Sequence, residues 1–430
     1  ERRQNGQQGH VFGFSMPRGL DPFVEPLKLT LSKDRKNTEV VNTANVELAI
    51  NCVAKIVTYT EPASLKVITM KLIAPLLLFL LEKCPWQLKA AVLNVIIVVL
   101  KNAPTTVRTL ISQMQKSLAA GLGEEESTVV RSRAVTGLQA LAPLIPKPEV
   151  VLTEIVKRLR DSKPELHAAH LRGFCTICQH SDQTKPLDKV VPAVEAMFGE
   201  LFDGTANSDA LVHSSNALGA WAKRVGVEQI GAVLLPTFAR QLASADWMKR
   251  MSGIMGAGAL IYASGENADE LAETAKVVEA CDSGARADQA MLRVVCVSTI
   301  VKLLATGCTT VKAKSTKLVS QLLAALKDSA DDVPMNVFLS VKELDEEGKA
   351  NFVEETLDIM DMITGTIKED NSYLRLSAER AIAHMFNMHT EGMTRVESVA
   401  SRISNPTVRN EVMDNCKRLL KRVKNGDVEL

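Results

Sequence analysis

Residues 121–141, GLGEEESTVVRSRAVTGLQAL, carry the pattern that decides the fold. An acidic turn (Glu124, Glu125, Glu126, Ser127) precedes a segment with basic residues early and small residues later, and its apolar positions recur at helical spacing. The same order returns in residues 241–261 (QLASADWMKRMSGIMGAGALI), 366–386 (TIKEDNSYLRLSAERAIAHMF) and 402–420 (RISNPTVRNEVMDNCKRLL). Weaker copies turn at Asp34, near Lys83, and at Asp161, Asp203, Asp282 and Asp328. Each copy reads as an apolar helix, a polar turn and a second helix, and the turns fall about 41 residues apart.

That period lies within the ~40–47 residues of HEAT or armadillo units. One helix pair cannot bury its apolar face alone, so such units stack on their neighbours. The expected fold is all-α, a right-handed α-solenoid of about ten HEAT/armadillo-like helix pairs. An irregular lead-in over 1–22 precedes an uninterrupted array over 23–430. Composition agrees: 46% hydrophobic residues suffice for a core, and 4% aromatic residues are few for a sandwich or barrel. In the copy at 366–386, Asp370 and Asn371 stand where a helix cap is wanted, and Leu374, Ala378, Ala381, Ile382 and Met385 follow at helical spacing. Arg375 points off that stripe; it bridges to the neighbouring repeat's turn acid or is simply solvated. Pro104, Pro146, Pro148, Pro164, Pro192, Pro236 and Pro334 are expected near helix starts or turns, where a missing amide hydrogen is harmless. Gly253, Gly256, Ala257 and Gly258 are small enough for two helices to approach closely.

A formal charge of +1, from 51 basic and 50 acidic residues, removes the uniformly basic surface of a nucleic-acid coat, so any phosphate contact must be local. Eight irregularly spaced cysteines do not form an extracellular disulfide framework, which favours a reducing compartment. No secretory signal opens the chain, and its first residue is Glu1 rather than Met, which reads as a piece of something longer or a processed chain. The apolar stretch from Leu72 to Leu100 is interrupted by Glu82, Lys83, Cys84, Pro85, Trp86, Gln87, Leu88 and Lys89. Each half is too short to span a membrane, and a buried helical hairpin fits better.

No reactive constellation emerges. His167, His170, Cys175, Cys178 and His180 crowd together, but all sit on one expected helix, which cannot wrap a tetrahedral zinc ion. Cys175 and Cys178 share the apolar face with Leu171 and Phe174 and read as core. The glycine run at 253–258 mimics a phosphate loop yet lacks the preceding strand and following Lys. There is no Gly-x-Ser-x-Gly elbow and no HExxH, and carboxylates such as Asp331 and Asp332 fall in turns. No enzyme activity, cofactor, metal or small-molecule substrate is expected.

What remains is surface. Lys417, Arg418, Lys421, Arg422 and Lys424 share one face of the last helix and fit either RNA phosphates or plain solvation. Trp86 and Trp247 occupy equivalent places just after inter-helix turns, as partner anchors or as plugs between repeats. Arg18 lies in irregular chain, where a side chain has fewer helix-packing duties.

The runs GHVFGFSMPRGLDPFVEPLKLTL, LIAPLLLFLLEKCPWQLKAAVLNVI, TVVRSRAVTGLQAL, SADWMKRMSGIMGAGAL and NSYLRLSAERAI stand in this order between Gly9 and Ile382. In that order and at those intervals they resemble the C-terminal part of the general control non-derepressible one (Gcn-one) family of HEAT-repeat translational activators. The resemblance implies a cytosolic, polysome-associated scaffold that binds the RWD domain of the initiation factor 2 alpha kinase. It would act with ribosomes in amino-acid starvation. It also implies that basic side chains in this zone contact the kinase, which makes Arg18, Lys89, Arg131, Arg133 and Arg250 candidates, with Lys249 beside them. A different HEAT scaffold is the alternative: a nuclear-transport carrier with an acidic concave surface, or a TOG-type tubulin-binding array. Trp86 and Trp247 lie too many repeats apart to serve as one tubulin-binding pair.

Overall fold

A computed structural model describes residues 10–11, 14–15, 43–60, 65, 73–77, 80, 84–203 and 208–342, with scattered positions at 344, 347–348, 351–352, 406–407, 409–410, 413–414 and 417–418. The chain gathers into two compact units, Glu1–Ala193 and Val194–Leu430.

In the first unit, β1 (His10–Val11) pairs antiparallel with β2 (Phe14–Ser15), a short hairpin in the stretch read as irregular. Among the described residues, seven α-helices follow: α1 (Thr43–Tyr59), α2 (Ala74–Leu77), α3 (Trp86–Asn102), α4 (Ile111–Leu122), α5 (Thr128–Leu141), α6 (Pro148–Asp161) and α7 (Pro164–His180). One layer is built by α1 on α3, α3 on α5 and α5 on α7, while α4 and α6 cover α5 and α7 from the other side. The interruption in the apolar stretch falls at Cys84 and Pro85, just before α3, whose Val92, Leu93, Val95 and Ile96 are fully buried. Among the described residues, no helix is long and apolar enough to cross a membrane.

The second unit repeats the plan with α8 (Val191–Asp203), α9 (Ser208–Val225), α10 (Val227–Leu242), α11 (Trp247–Ser264), α12 (Thr274–Gly284), α13 (Ala290–Leu304), α14 (Thr309–Lys312), α15 (Ser315–Ala325) and α16 (Asp332–Lys342). Here α9, α11, α13 and α16 stack in order, and α10, α12 and α15 pack behind them. Between α9 and α10 only Gly226 intervenes, and its φ of 98° makes a one-residue reversal that a side chain would resist.

The fold is therefore all-α, built of stacked helix pairs of the HEAT type. Second helices start at residues 43, 86, 128, 164, 208, 247, 290 and 332, about 41 residues apart. Side chains bond across the same interval: Ser117 Oγ donates to the Leu77 carbonyl (3.3 Å), Ser215 Oγ to that of Met255 (3.1 Å), and Gln241 Nε2 to that of Phe202 (2.8 Å). Such bonds satisfy buried polar groups and hold the register between neighbouring pairs.

The glycine run lies in the middle of α11 and serves close packing. A Cβ on Gly253 would stand 2.8 Å from the Leu242 nitrogen of α10, and one on Gly258 would stand 2.5 Å from Thr299 Cγ2 of α13. Packed against helices on several sides, α13 is buried nearly all round, which is why its apolar pattern runs round the whole helix. Its Lys302 is buried, with Nζ donating to Ser215 Oγ (3.1 Å) and Asn216 Oδ1 (2.6 Å) on α9, two helix pairs away. The slender α11 between them leaves room for that reach.

Two expectations need correction. Asp282 does not mark a turn; it lies inside α12, and the turn comes at 285–289. Its carboxylate is the hub of a cluster of partners, Lys317 Nζ (2.6 Å), Arg286 Nη2 (3.1 Å) and Gln321 Nε2 (2.9 Å), so a polar pattern that looks like a turn is a packed junction. Pro236 is inside α10 rather than at a helix start. It is tolerated because Pro236 and Ala232, whose carbonyl loses its partner, both face water. Pro104, Pro148 and Pro164 each open a helical segment as expected. The turn at Asp34 and the copy at 366–386, with Asp370, Asn371 and Arg375, lie outside the described residues.

Candidate interaction surface

Turn acids and early second-helix cations meet where the repeat logic places them. Lys89 on α3 reaches the turn of the next pair, with Nζ 2.6 Å from Glu124 Oε2. Arg131 on α5 donates to the Glu124 carbonyl at 2.6 Å, folding back over its own turn. Ser127 caps α5 by accepting from the Val130 amide, and Asp246 caps α11 by accepting from that of Met248. In the second unit, Arg293 makes the fullest version of this link. Its Nε and Nη2 grip Asp328 at 2.7 and 2.9 Å, and Nη1 donates to the carbonyls of Ala287 and Asp288. Arg293 holds the Asp328 carboxyl below its usual value against the opposing effect of burial. At Asp282 burial pushes the carboxyl up, but Lys317, Arg286 and Gln321 together bring it below its ordinary value. Asp269 accepts from Thr309 and Thr310 at the start of α14, and those bonds hold its carboxyl far down.

These links sort the candidate partner residues. Lys89 and Arg131 are engaged within the repeat stack. Arg133 Nη1 donates to the Ala90 carbonyl at 2.7 Å, which ties α5 to α3. Trp86 and Trp247 are each the first residue of their helix, α3 and α11, as the equivalence of their positions predicts, and both are half-buried. Lys249 is exposed on the first turn of α11, and neighbouring Arg250 is half-buried with an Nε that finds no partner. Lys417 and Arg418 are exposed helical positions. Arg18, Lys421 and Arg422 lie outside the described residues. The structure thus brings Trp86 and Arg133 to one cleft and Lys89 and Arg131 to one turn, while Trp247, Lys249 and Arg250 share the start of α11.

The cleft at Trp86 has a volume of about 250 Å³ and crosses three second helices. Glu47 and Asn51 come from α1, Trp86, Gln87 and Asn94 from α3, and Val129 and Arg133 from α5. Sequence reading passed over its amides. The signal that was available is the separation of Asn51 and Asn94 by one repeat.

The five His and Cys residues at 167–180 all lie on α7, where His170 is buried and donates Nδ1–H to the Leu166 carbonyl at 3.0 Å. Burial lowers its pKa, and that bond opposes the shift. Among the described residues, no three His, Cys, Asp or Glu side chains converge as metal ligands.

Comparison with known proteins places this architecture. A sequence profile described as "GCN1-like, C-terminal HEAT repeats" matches residues 257–401. Protein ILITYHIA of Arabidopsis thaliana is 19% identical over 410 residues, covering 94% of this chain and 15% of that protein. The stalled ribosome sensor GCN1 of Homo sapiens is 22% identical over 56% of this chain and 9% of its own length. The eIF-2-alpha kinase activator GCN1 of Saccharomyces cerevisiae is 26% identical over 37% of this chain and 6% of its own. The chain thus spans about a seventh or less of each of these relatives. Superposition on yeast importin-beta (Kap95p), at 12% identity over 92% of this chain and 63% of that one, gives a TM-score of 0.46. The chain is similar to the C-terminal HEAT-repeat region of GCN1-like proteins, the resemblance that its own motifs carry.

Proposed function

We propose that residues 23–430 act as a non-enzymatic HEAT-repeat scaffold that activates an initiation factor 2 alpha kinase in the amino-acid starvation response. The scaffold binds the kinase's RWD domain and acts with ribosomes in the cytosol. The observation that carries this reading is the profile match at 257–401, supported by relatives named as kinase activator and stalled ribosome sensor. Physically, a rigid stack of helix pairs presents a docking surface, and holding a kinase beside the ribosome converts a weak encounter into an effectively intramolecular one.

Among the basic candidates, Lys249 stands exposed, whereas Lys89 and Arg133 tie neighbouring helix pairs together and Arg131 is bonded to its own turn. Kinase contact is therefore assigned to Trp247, Lys249 and Arg250, and local rRNA phosphate contact to Lys417 and Arg418. The test is retention of the purified kinase N-terminal domain by the full 430-residue chain. The expected result is binding at low salt that Lys249→Glu weakens by about threefold to tenfold, as a rim charge does. Absence of retention at low salt overturns the proposal.

A further inference from the structure

The cleft at Trp86 is lined mainly by polar side chains. Its walls carry the side-chain amides of Asn51, Gln87 and Asn94 and the carboxylate of Glu47, and none of the four makes a hydrogen bond among the described residues. A carboxamide offers donors and an acceptor on one rigid plane, which matches the alternating N–H and C=O of an extended main chain. Asn51 and Asn94 sit on neighbouring helices, α1 and α3, whose axes in such packing lie about 8–10 Å apart. Three residues of extended chain rise about 10 Å. The step from one helix to the next is thus commensurate with three residues of extended chain.

Charge narrows the occupant. Among the described residues, Glu47 and Arg133 are the ionisable side chains lining the cleft, one of each sign. A polyanion gains nothing from a balanced pair, whereas a peptide can present a cation to Glu47 and an anion to Arg133. Arg133 is held in place by the bond from its Nη1 to the Ala90 carbonyl, and that one bond uses only one of its five N–H donors. Trp86, half-buried, and Val129, exposed to 43%, add an aromatic and an aliphatic surface against which a side chain can lie.

We propose that this cleft is a docking groove for an extended peptide segment of a partner protein, bound mainly through its main chain by Asn51, Gln87 and Asn94. Its side chains are read by Trp86, Glu47 and Arg133. This site is separate from the assignment of kinase contact to α11, and failure of the kinase pull-down leaves it untouched.

The test pans a random dodecapeptide phage library against the full chain, with the Asn51→Ala/Asn94→Ala variant as counter-target, and measures the selected peptides by fluorescence anisotropy. Asn51 is exposed and Asn94 half-exposed, so both substitutions leave the core intact, which thermal melting verifies. Expected are peptides that lose about tenfold in affinity for Asn94→Ala and for Trp86→Ala, the loss of one well-made contact each. N-methylation at two main-chain nitrogens three residues apart should abolish binding. Because Trp86→Ala removes a packed side chain, Gln87→Ala at an exposed position provides a second reading and is expected to weaken binding severalfold. The proposal is overturned if no peptide is enriched over the double variant. It is equally overturned if selected peptides bind that variant unchanged, or if poly(U) RNA competes for the cleft in their place.

Discussion

Gly256→Ala tests the packing of the second unit most directly. In an isolated helix, alanine in place of glycine stabilises by about 1 kcal/mol. In α11 the new Cβ would overlap Cε1 and Cζ of Phe238 and stand 2.8 Å from Cδ1, against the ~3.5–4.0 Å of a good carbon contact. Phe238 cannot simply swing aside, for its ring is fully buried and meets Phe202 edge to face at 5.1 Å between centroids. Overpacking of this kind costs about 1–3 kcal/mol, and the missing ångström places this case at the upper end. A net loss of about 2 kcal/mol follows after the helical gain is subtracted. Urea unfolding followed by the fluorescence of Trp221, a buried reporter on α9, measures it, and hydrogen exchange across α10 and α11 localises it. Phe238→Leu leaves a cavity on its own but makes room for the methyl group. The double variant should therefore be more stable than the sum of the singles by about 1–2 kcal/mol. A Gly256→Ala protein that is more stable than the parent, or singles that add within about 0.5 kcal/mol, refutes the close approach of α10 and α11.

Other consequences are simpler to state. Arg293→Met should destabilise by about 3 kcal/mol, because Asp328 and two carbonyls lose their donor, and a cycle with Asp328→Asn should show coupling above 1 kcal/mol in denaturant unfolding. Since the folded-state pKa of Asp328 lies below its unfolded value, near 3.9, its stabilisation is present above that pH and is lost as pH falls through the folded pKa. Asp328→Asn should flatten the acid limb of stability there. Burial likewise lowers His170 below the ordinary ~6.5, so the unfolded chain takes up the extra proton and stability should decline as pH falls from about 6.5. His170→Leu should remove that part of the slope between pH 6.5 and 5 in pH-resolved melting. Lys89→Ala should lower the melting temperature with little effect on kinase-domain retention, the reverse of Lys249→Glu, because Lys89 bridges two repeats whereas Lys249 stands exposed.

The helix pairs were legible because amphipathic periodicity, proline placement and capping are local. Trp86 and Trp247 open equivalent helices, Ser127 and Asp246 cap theirs, and the interval of about 41 residues survives intact. Asp282 misled because an acid among small polar residues looks alike in a turn and at a buried junction. Lys317 and Gln321, a whole repeat away, make the difference. Pro236 misled because the cost of its missing amide depends on whether the freed carbonyl meets water.

By itself, then, the sequence determined an all-α array of stacked pairs and its likeness to GCN1-like C-terminal repeats, for both rest on patterns that recur along the chain. Only the tertiary structure decided how the charged and polar residues are employed. Whether Lys89 is a docking cation or a strut depends on Glu124, and whether Asn51 and Asn94 are available depends on helices that leave them unbonded in one cleft. Those outcomes turn on distances between residues about one repeat apart, which composition and local periodicity do not encode.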